Sequence, residues 1–146
     1  MQTPLVRNAE VRDFEEIVEL LKQLWPEKKI NVRKVKKIFL EQSAKKDSYS
    51  TLVAEAKGKI VGLIIPSYRL NIHSEGVAVC IDELVVDKNC RSNGIGRALI
   101  EAGASFCRKR KIAGVSLTSA FHRKGAHIFY EKMGFEKVSF KFEKEV

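Results

Sequence analysis

Three observations predict an α/β domain of the α+β type, with a mixed, mostly antiparallel central sheet flanked by helices. Val77 to Val86 is apolar at most positions and β-branched at many, which reads as a strand buried on both faces. Tyr49 to Ala56 and Ile60 to Tyr68 are separated only by Lys57-Gly58-Lys59, the pattern of a hairpin with a glycine turn, and a hairpin is antiparallel. Between and after these runs, apolar residues recur at helical spacing, so helices must cover the sheet.

The elements follow in order along the chain. Leu5-Val6 starts a short strand, and Asp13 is the expected N-cap of a first helix, with Glu16 three residues later completing a capping-box pattern. Phe14, Ile17, Val18, Leu21 and Leu24 mark its apolar face, and Pro26 closes it just after Trp25. A second helix is predicted from about Val32 to Ala44, with one face rich in lysine. The hairpin comes next, then a polar break from Asn71 to Gly76 and the Val77–Val86 strand. Ile95, Leu99, Ala102 and Phe106 define a third helix ending near Lys111, followed by a strand at Gly114–Thr118. Lys124 to Lys132 forms a short helix capped by Gly134, and Phe135 to Phe142 alternates as a final strand should.

At 146 residues the chain is expected to be one domain, numbered 1–146. Its 45% hydrophobic and 31% charged residues, without a repeat or low-complexity tract, exclude a disordered or fibrous protein. The first residues lack the basic and apolar regions of a signal peptide, and no apolar run approaches the roughly 20 residues of a membrane span, so a cytoplasmic location is expected. Cys80, Cys90 and Cys107 form no C-x-x-C pair and cannot all be bridged, which suits a reducing compartment. His73, His122 and His127 lack the spacing of a metal site, and no metal is expected. The net charge of +9 invites a nucleic-acid reading, but the basic clusters are dispersed and no aromatic residues interleave with them. A basic surface that attracts a polyanionic ligand is the preferred account.

The informative segment is Cys90-Arg91-Ser92-Asn93-Gly94-Ile95-Gly96-Arg97-Ala98-Leu99, an R-x-x-G-x-G loop between an apolar strand and an amphipathic helix. The first turn of a helix presents unsatisfied N–H groups and the positive end of its dipole, and glycine removes the Cβ atoms that would keep a pyrophosphate from the backbone. A Walker-type loop requires Lys then Ser/Thr after the last glycine, whereas Gly96 is followed by Arg97-Ala98. A dinucleotide-binding loop requires a third glycine and an acidic residue ending the next strand, where this chain has Leu99 and Ser119-Ala120-Phe121.

Glu83-Leu84-Val85-Val86 followed by Arg91-Ser92-Asn93-Gly94-Ile95-Gly96 resembles the acetyl-CoA-binding signature of the GNAT superfamily of N-acetyltransferases. Ala126-His127-Ile128-Phe129-Tyr130-Glu131-Lys132-Met133-Gly134-Phe135 is similar to that family's A-x-x-F-Y-x-x-x-G-F segment, and Val6-Arg7-Asn8-Ala9 through Asp13 resembles its entry strand and helix. A weaker likeness to aminoalkylphosphonate and aminoglycoside-type members rests on Arg123, Ala126-His127, Phe129-Tyr130 and Ser139-Phe140-Lys141-Phe142. Arg123 stands where many members carry an asparagine.

The resemblance implies the GNAT acyltransferase fold and acetyl-CoA as acetyl donor. It also implies backbone contacts from Leu84, Val85 and Val86 to the pantetheine arm, with Arg91, Ser92, Asn93, Gly94, Ile95, Gly96 and Arg97 around the pyrophosphate. Tyr130 is the candidate acid that protonates the departing thiolate, set against a purely packed core tyrosine. Glu83 is the candidate base for the substrate ammonium, with Asp82 as its rival on the opposite face of a regular strand. The N–H near Val85 is placed to polarise the thioester oxygen. The partner expected is a small-molecule primary amine, with no membrane, nucleic acid disfavoured and a homodimer open. Trp25, Phe39, Tyr68 and Arg69 are candidate wall residues for the acceptor, and His73 a candidate contact. The rival functions are a protein or peptide N-acetyltransferase and a non-catalytic basic module that binds nucleic acid.

Overall fold

The computed structural model describes residues 3–109, 112 and 114–146, without the side chains of 106–109. The side chains of Phe106, Cys107 and the cluster Arg108 to Lys111, and the helix end expected near Lys111, lie outside the described residues. Backbone contacts divide the chain into two compact units, Met1–Ser116 and Leu117–Val146.

The elements are β1 (Leu5–Asn8), a 3-10 turn (Val11–Asp13), α1 (Phe14–Leu24), α2 (Val32–Ala44), β2 (Leu52–Ala56), β3 (Lys59–Asn71), β4 (Gly76–Val86), α3 (Ile95–Lys109), β5 (Val115–Leu117) and α4 (Lys124–Lys132). They build a five-stranded sheet in the order β1-β2-β3-β4-β5, and the β1–β2, β2–β3 and β3–β4 ladders are all antiparallel. The β2–β3 hairpin turns through Lys57 at φ 51° and Gly58 at φ 75°, the paired positive values of a type I′ turn.

Strand periodicity explains why the middle of the sheet reads as almost continuously apolar. Val53, Leu63 and Val85 face one layer and pack with Phe14, Ile17, Leu21 and Phe39 of α1 and α2. Their neighbours Ala54, Gly62 and Ile64 face the other way, toward Ile95, Leu99 and Gly103 of α3. With both faces covered, successive residues are buried and the usual polar alternation disappears. α2 contributes buried Phe39 and half-buried Val35 to this core and leaves its lysine-rich side in solvent.

Two expectations are corrected by the local chemistry. Asp13 does not cap α1 with its side chain. Its carboxylate reaches back to the Glu10 N–H at 2.7 Å and accepts two bonds from the Arg7 guanidinium, at 2.7 and 2.9 Å. Glu16, the supposed partner in the box, accepts the Ile60 N–H at 2.9 Å instead and fastens α1 to the start of β3. A half-buried arginine offers Asp13 a stronger, charge-assisted partner than a helix amide does, so the capping pattern is built one step earlier.

The second correction concerns Phe135 to Phe142, which forms no strand. Alternation supplies an apolar face, but a strand also requires a neighbour for its N–H and C=O groups, and none of the described residues pairs with this segment. Val138, Phe140 and Phe142 consequently stand 82, 78 and 90% exposed. The turn before the segment is well determined. Gly134, at φ +91°, donates to the Glu131 carbonyl and Phe135 to the Tyr130 carbonyl, each at 3.0 Å, which is a Schellman motif.

Candidate active site

β4 delivers the chain to the glycine loop, and two irregularities control its path. In the β3–β4 ladder Ile65 faces Glu83 and Pro66 faces Ile81, so Asp82 is left over as a bulge. Pro66 has no N–H to give the ladder, and a bulge is where a mid-strand proline is tolerated. Asp82 is therefore exposed at a break in the ladder, while Glu83 is half-buried and back in register. The regular strand on which the Glu83 and Asp82 alternatives were weighed is absent, although the two carboxylates do differ in environment.

Leu84, Val85 and Val86 pair with Ile64, Leu63 and Gly62 of β3. β5, on the far side of β4, is only three residues long, and its Ser116 hydroxyl donates to the Val79 carbonyl at 3.4 Å. Val79 precedes Leu84 by five residues, so the short strand is anchored well before the end of β4.

The loop after β4 is pinned along its first half. Asp87 donates its N–H to the Val61 carbonyl at 2.9 Å, its carboxylate accepts the Asn89 N–H at 2.8 Å, and its carbonyl accepts the Cys90 N–H at 2.8 Å. Gln23 of α1 accepts the Lys88 N–H at 2.9 Å and donates to Asp87 Oδ2 at 3.3 Å. Sequence reasoning missed both residues. Asp87-Lys88-Asn89 carries a readable Asx-turn signal, but Gln23 carries none, being a polar residue on the side of α1 away from its apolar stripe.

The second half of the loop is different. Among the described residues, none of the backbone hydrogen bonds found outside the regular elements is donated by an N–H from Arg91 to Arg97, although Arg91 and Ser92 lie in a turn. Ser92 at φ 66° and Gly94 at φ 77° turn this backbone through left-handed conformations, and at Gly94 an added Cβ would meet nothing within 4 Å. The first turn of α3 holds no acidic residue, so nothing there neutralises the helix dipole. A cavity of about 280 Å³ opens on this turn, lined by Thr3, Pro4, Asn93, Gly94, Arg97, Ala98 and Glu101. Arg91 is exposed and donates from Nε to the Val86 carbonyl at 3.2 Å, and Arg97 makes only a long exposed contact of 3.8 Å to Glu101. Chemically, this is a concavity at a helix start, with Arg97 and Glu101 on its wall, where the helix dipole favours an anion.

Tyr130 lies in the other unit, on α4. It is 8% exposed, with its ring 5.6 Å from Phe129 and edge-on to Phe135 at 5.9 Å. Because Phe135 follows the Gly134 reversal, the F-Y-x-x-x-G-F spacing is the sequence form of a helix end that folds an aromatic ring back over Tyr130. Burial pushes the Tyr130 hydroxyl above its ordinary value near 10, opposed by the positive charge of Arg123. The phenol is thus a protonated group at neutral pH, able to give a proton and not to take one. His127 donates from Nε2 to the Ala120 carbonyl at 2.9 Å, an ordinary structural bond.

Two of the expected acceptor-wall residues are core residues instead. Phe39 is 5% exposed and stacks 5.6 Å from Phe14, and Tyr68 is 5% exposed in a cluster with Val79. Trp25 is half-buried beneath the Lys28 ammonium at 5.0 Å, while Arg69 and His73 are exposed.

A family model described as an acetyltransferase (GNAT) domain matches residues 47–137. An uncharacterized N-acetyltransferase of Bacillus subtilis is 37% identical over 108 residues, which cover 73% of this chain and 75% of that one. An uncharacterized N-acetyltransferase of Methanocaldococcus jannaschii is 32% identical over 94% of this chain, although this spans only 62% of the archaeal protein. Among solved structures, a putative acetyltransferase from Agrobacterium tumefaciens superposes with a TM-score of 0.86 at 22% identity, over 97% of this chain and 99% of that one. A glucosamine-6-phosphate N-acetyltransferase from Arabidopsis thaliana superposes with a TM-score of 0.83 at 25% identity, over 99% of each chain. With the strand, glycine loop and helix described above lying inside the matched region, the chain belongs to the GNAT acetyltransferase family and is an acyltransferase.

Proposed function

We propose that this protein moves an acetyl group from acetyl-CoA to the primary amine of a small molecule, directly, within a complex that holds both substrates. The observation that carries the reading is the run of amides from Arg91 to Arg97, which donate none of the backbone bonds found among the described residues outside the regular elements, at a helix start free of acidic side chains. A diphosphate fits that donor set, because each N–H is a fixed partner and Arg91 and Arg97 are held only by weak exposed contacts. When bound, the thioester supplies an activated acyl carbon.

This chain's own residues then do the rest. Gly94, Ile95 and Gly96 keep the backbone accessible to the diphosphate, with Ser92 and Asn93 flanking it. Leu84, Val85 and Val86 offer the edge of β4 away from β3 to the pantetheine amides, in the manner of an added strand. The Val85 N–H polarises the thioester oxygen. Glu83 takes a proton from the incoming ammonium, directly or through water, and Tyr130 returns one to the departing thiolate. A small-molecule acceptor is favoured over a peptide by the name of the Arabidopsis relative, and a basic surface repels a basic tail. The same charge suits an acidic or phosphorylated amine.

A thiol-release assay with acetyl-CoA over a panel of amino sugars, aminophosphonates, polyamines and peptides tests the reaction. Calorimetry with coenzyme A tests the loop separately. Release of thiol with at least one small amine is expected. Absence of both heat and release would overturn the reading.

A further inference from the structure

The sheet is covered on both faces around α1, but on one face only farther along β3 and β4. Pro66, Tyr68, Val79 and Ile81 fill the buried face. On the other face Ile65 still packs against the α1 core, whereas Ser67, Ala78 and Cys80 are half-buried and Arg69 is exposed. Ile65 is opposite Glu83, Ser67 opposite Cys80 and Arg69 opposite Ala78 in the β3–β4 ladder, so all six line one floor. Tyr49, bridged to Ser67, extends the Ser67–Cys80 row by one more half-buried side chain.

The floor is dipolar. Asp82 and Glu83 stand at one end and Arg69 at the other, with Cys80 between them. Both charges act on its thiol: burial and Asp82 push it above its ordinary value, while a bond from Ser116 and the Arg69 charge oppose them. Among the described residues Arg69 has no ion-pair partner, so its charge is open to an incoming group. Arg69 follows Ile65, the partner of Glu83, by four residues, about 13 Å along β3. Glutamate and arginine are long side chains, which shorten that gap to the span of a small molecule. We propose that the acceptor is a small amine that also carries an anionic group, with its nitrogen at Glu83 and a carboxylate, phosphate or phosphonate on Arg69.

With Glu83 as the base, on which this reading rests, the floor attracts the ammonium at one end and the anion at the other, and so fixes direction as well as affinity. A guanidinium presents a rigid fork of donors that matches two oxygens of such an anion. The Ser67 and Ser116 hydroxyls donate to the Cys80 and Val79 carbonyls only at 3.5 and 3.4 Å, so either can turn to a polar group of the acceptor at small cost. A polyamine would instead place a second ammonium against Arg69, and like charges repel.

Thiol release from acetyl-CoA with matched amines tests the proposal: β-alanine against its amide, and phosphoethanolamine and aminoethylphosphonate against ethanolamine. The parent should favour each anionic member in kcat/KM by about 10–100-fold, the worth of a charge-assisted hydrogen bond, and the member of lowest KM identifies the anion. In Arg69→Met that preference should shrink to within about threefold of parity, with the loss lying in KM for the anionic amines. Arg69→Lys keeps the charge and should stay within about fivefold of the parent. Arg69 is exposed, and thermal melts verify that the variants fold. An equal preference in parent and Arg69→Met, or a parent that favours the uncharged members, would overturn this proposal while leaving acetyl transfer to amines intact. No thiol release with any amine would overturn both.

Discussion

Replacing Gly62 by alanine tests how closely α3 must lie on the sheet for its first turn to be placed. Gly62 pairs with Val86 at the end of β4, and a Cβ there would stand 2.9 Å from Leu99 Cδ1, 3.0 Å from Ile95 Cγ2 and 3.4 Å from Ala54 Cβ. Carbon atoms prefer about 3.5–4.0 Å, so Leu99 and Ile95 must retreat by roughly half an ångström or more. Leu99 is 0% exposed and has no open side to move into. Overpacking of this kind costs about 1–3 kcal/mol, offset by about 0.5–1 kcal/mol because glycine in a strand interior is itself unfavourable. The net loss is centred on about 1 kcal/mol and reaches about 2.5 kcal/mol at most, so Tm should fall by roughly 3–8 °C in a chain of this size. Ile95 and Leu99 are also the first and fifth residues of α3, so their retreat tilts the turn that carries the amides. Coenzyme A affinity should fall by roughly tenfold or more, as expected when fixed donors are misplaced by a fraction of an ångström. Gly103→Ala is the matched control. Its Cβ meets only Ile64 Cδ1, at 3.8 Å, and alanine is the better helix former, so that variant should gain up to about 1 kcal/mol. Scanning calorimetry gives the first quantity and titration calorimetry the second. A Gly62→Ala protein with unchanged Tm and unchanged affinity would refute the packing argument.

Three further outcomes are expected. Tyr130→Phe keeps the ring contacts with Phe129 and Phe135 but loses the hydroxyl, so kcat should fall by about 10²-fold or more with little change in Tm, and unaltered turnover in steady-state assays would remove Tyr130 as the acid. Glu83→Gln should abolish the acidic limb of the kcat/KM pH profile, and a variant with the parent's limb would eliminate Glu83 as the base. Asp13→Asn leaves Arg7 with Glu55, at 2.8 Å, as its remaining carboxylate partner and should cost about 1–3 kcal/mol at neutral pH. Arg7 holds the Asp13 carboxyl below its ordinary value of 3.8, so the parent's advantage is fully present above that value and lost as pH falls through the lower folded one. Urea melts at pH 7 and near pH 2 measure it, and an equal gap at both would contradict the ion-pair account.

Most of the fold was legible because burial on both sheet faces leaves a run such as Ile60 to Ile65 with no other economical explanation, and because α2 and α4 begin and end at the residues their patterns mark. The glycine loop was legible for a chemical reason, since R-x-x-G-x-G between a strand and a helix has few uses. Partner choice is where the reading stopped. Asp13 looked like a cap, but a local pattern cannot reveal that Arg7 of β1 lies within 2.7 Å of it. The bulge at Asp82 depends on Pro66 in the neighbouring strand, and Gln23 reaches Asp87 across 64 residues of sequence. Phe39 and Tyr68 were mistaken for open wall because aromatic residues serve a core and a pocket equally well. The segment from Phe135 to Phe142 shows the converse, an apolar alternation readable from sequence that finds no ladder partner among the described residues.

The unpaired Asp82 also sets what lengths this protein can tolerate. It is the residue of β4 that the ladder skips: deleting it leaves Ile81 facing Pro66 and Glu83 facing Ile65, so the pairing survives and only the bulge is lost. The opposite end of the same strand is forgiving, because the Ile72–Glu75 turn is exposed and can absorb an added residue without disturbing any pairing. Length variation in relatives with this hairpin should therefore collect at the turn and at the bulge between Ile81 and Glu83, and avoid the paired residues on either side.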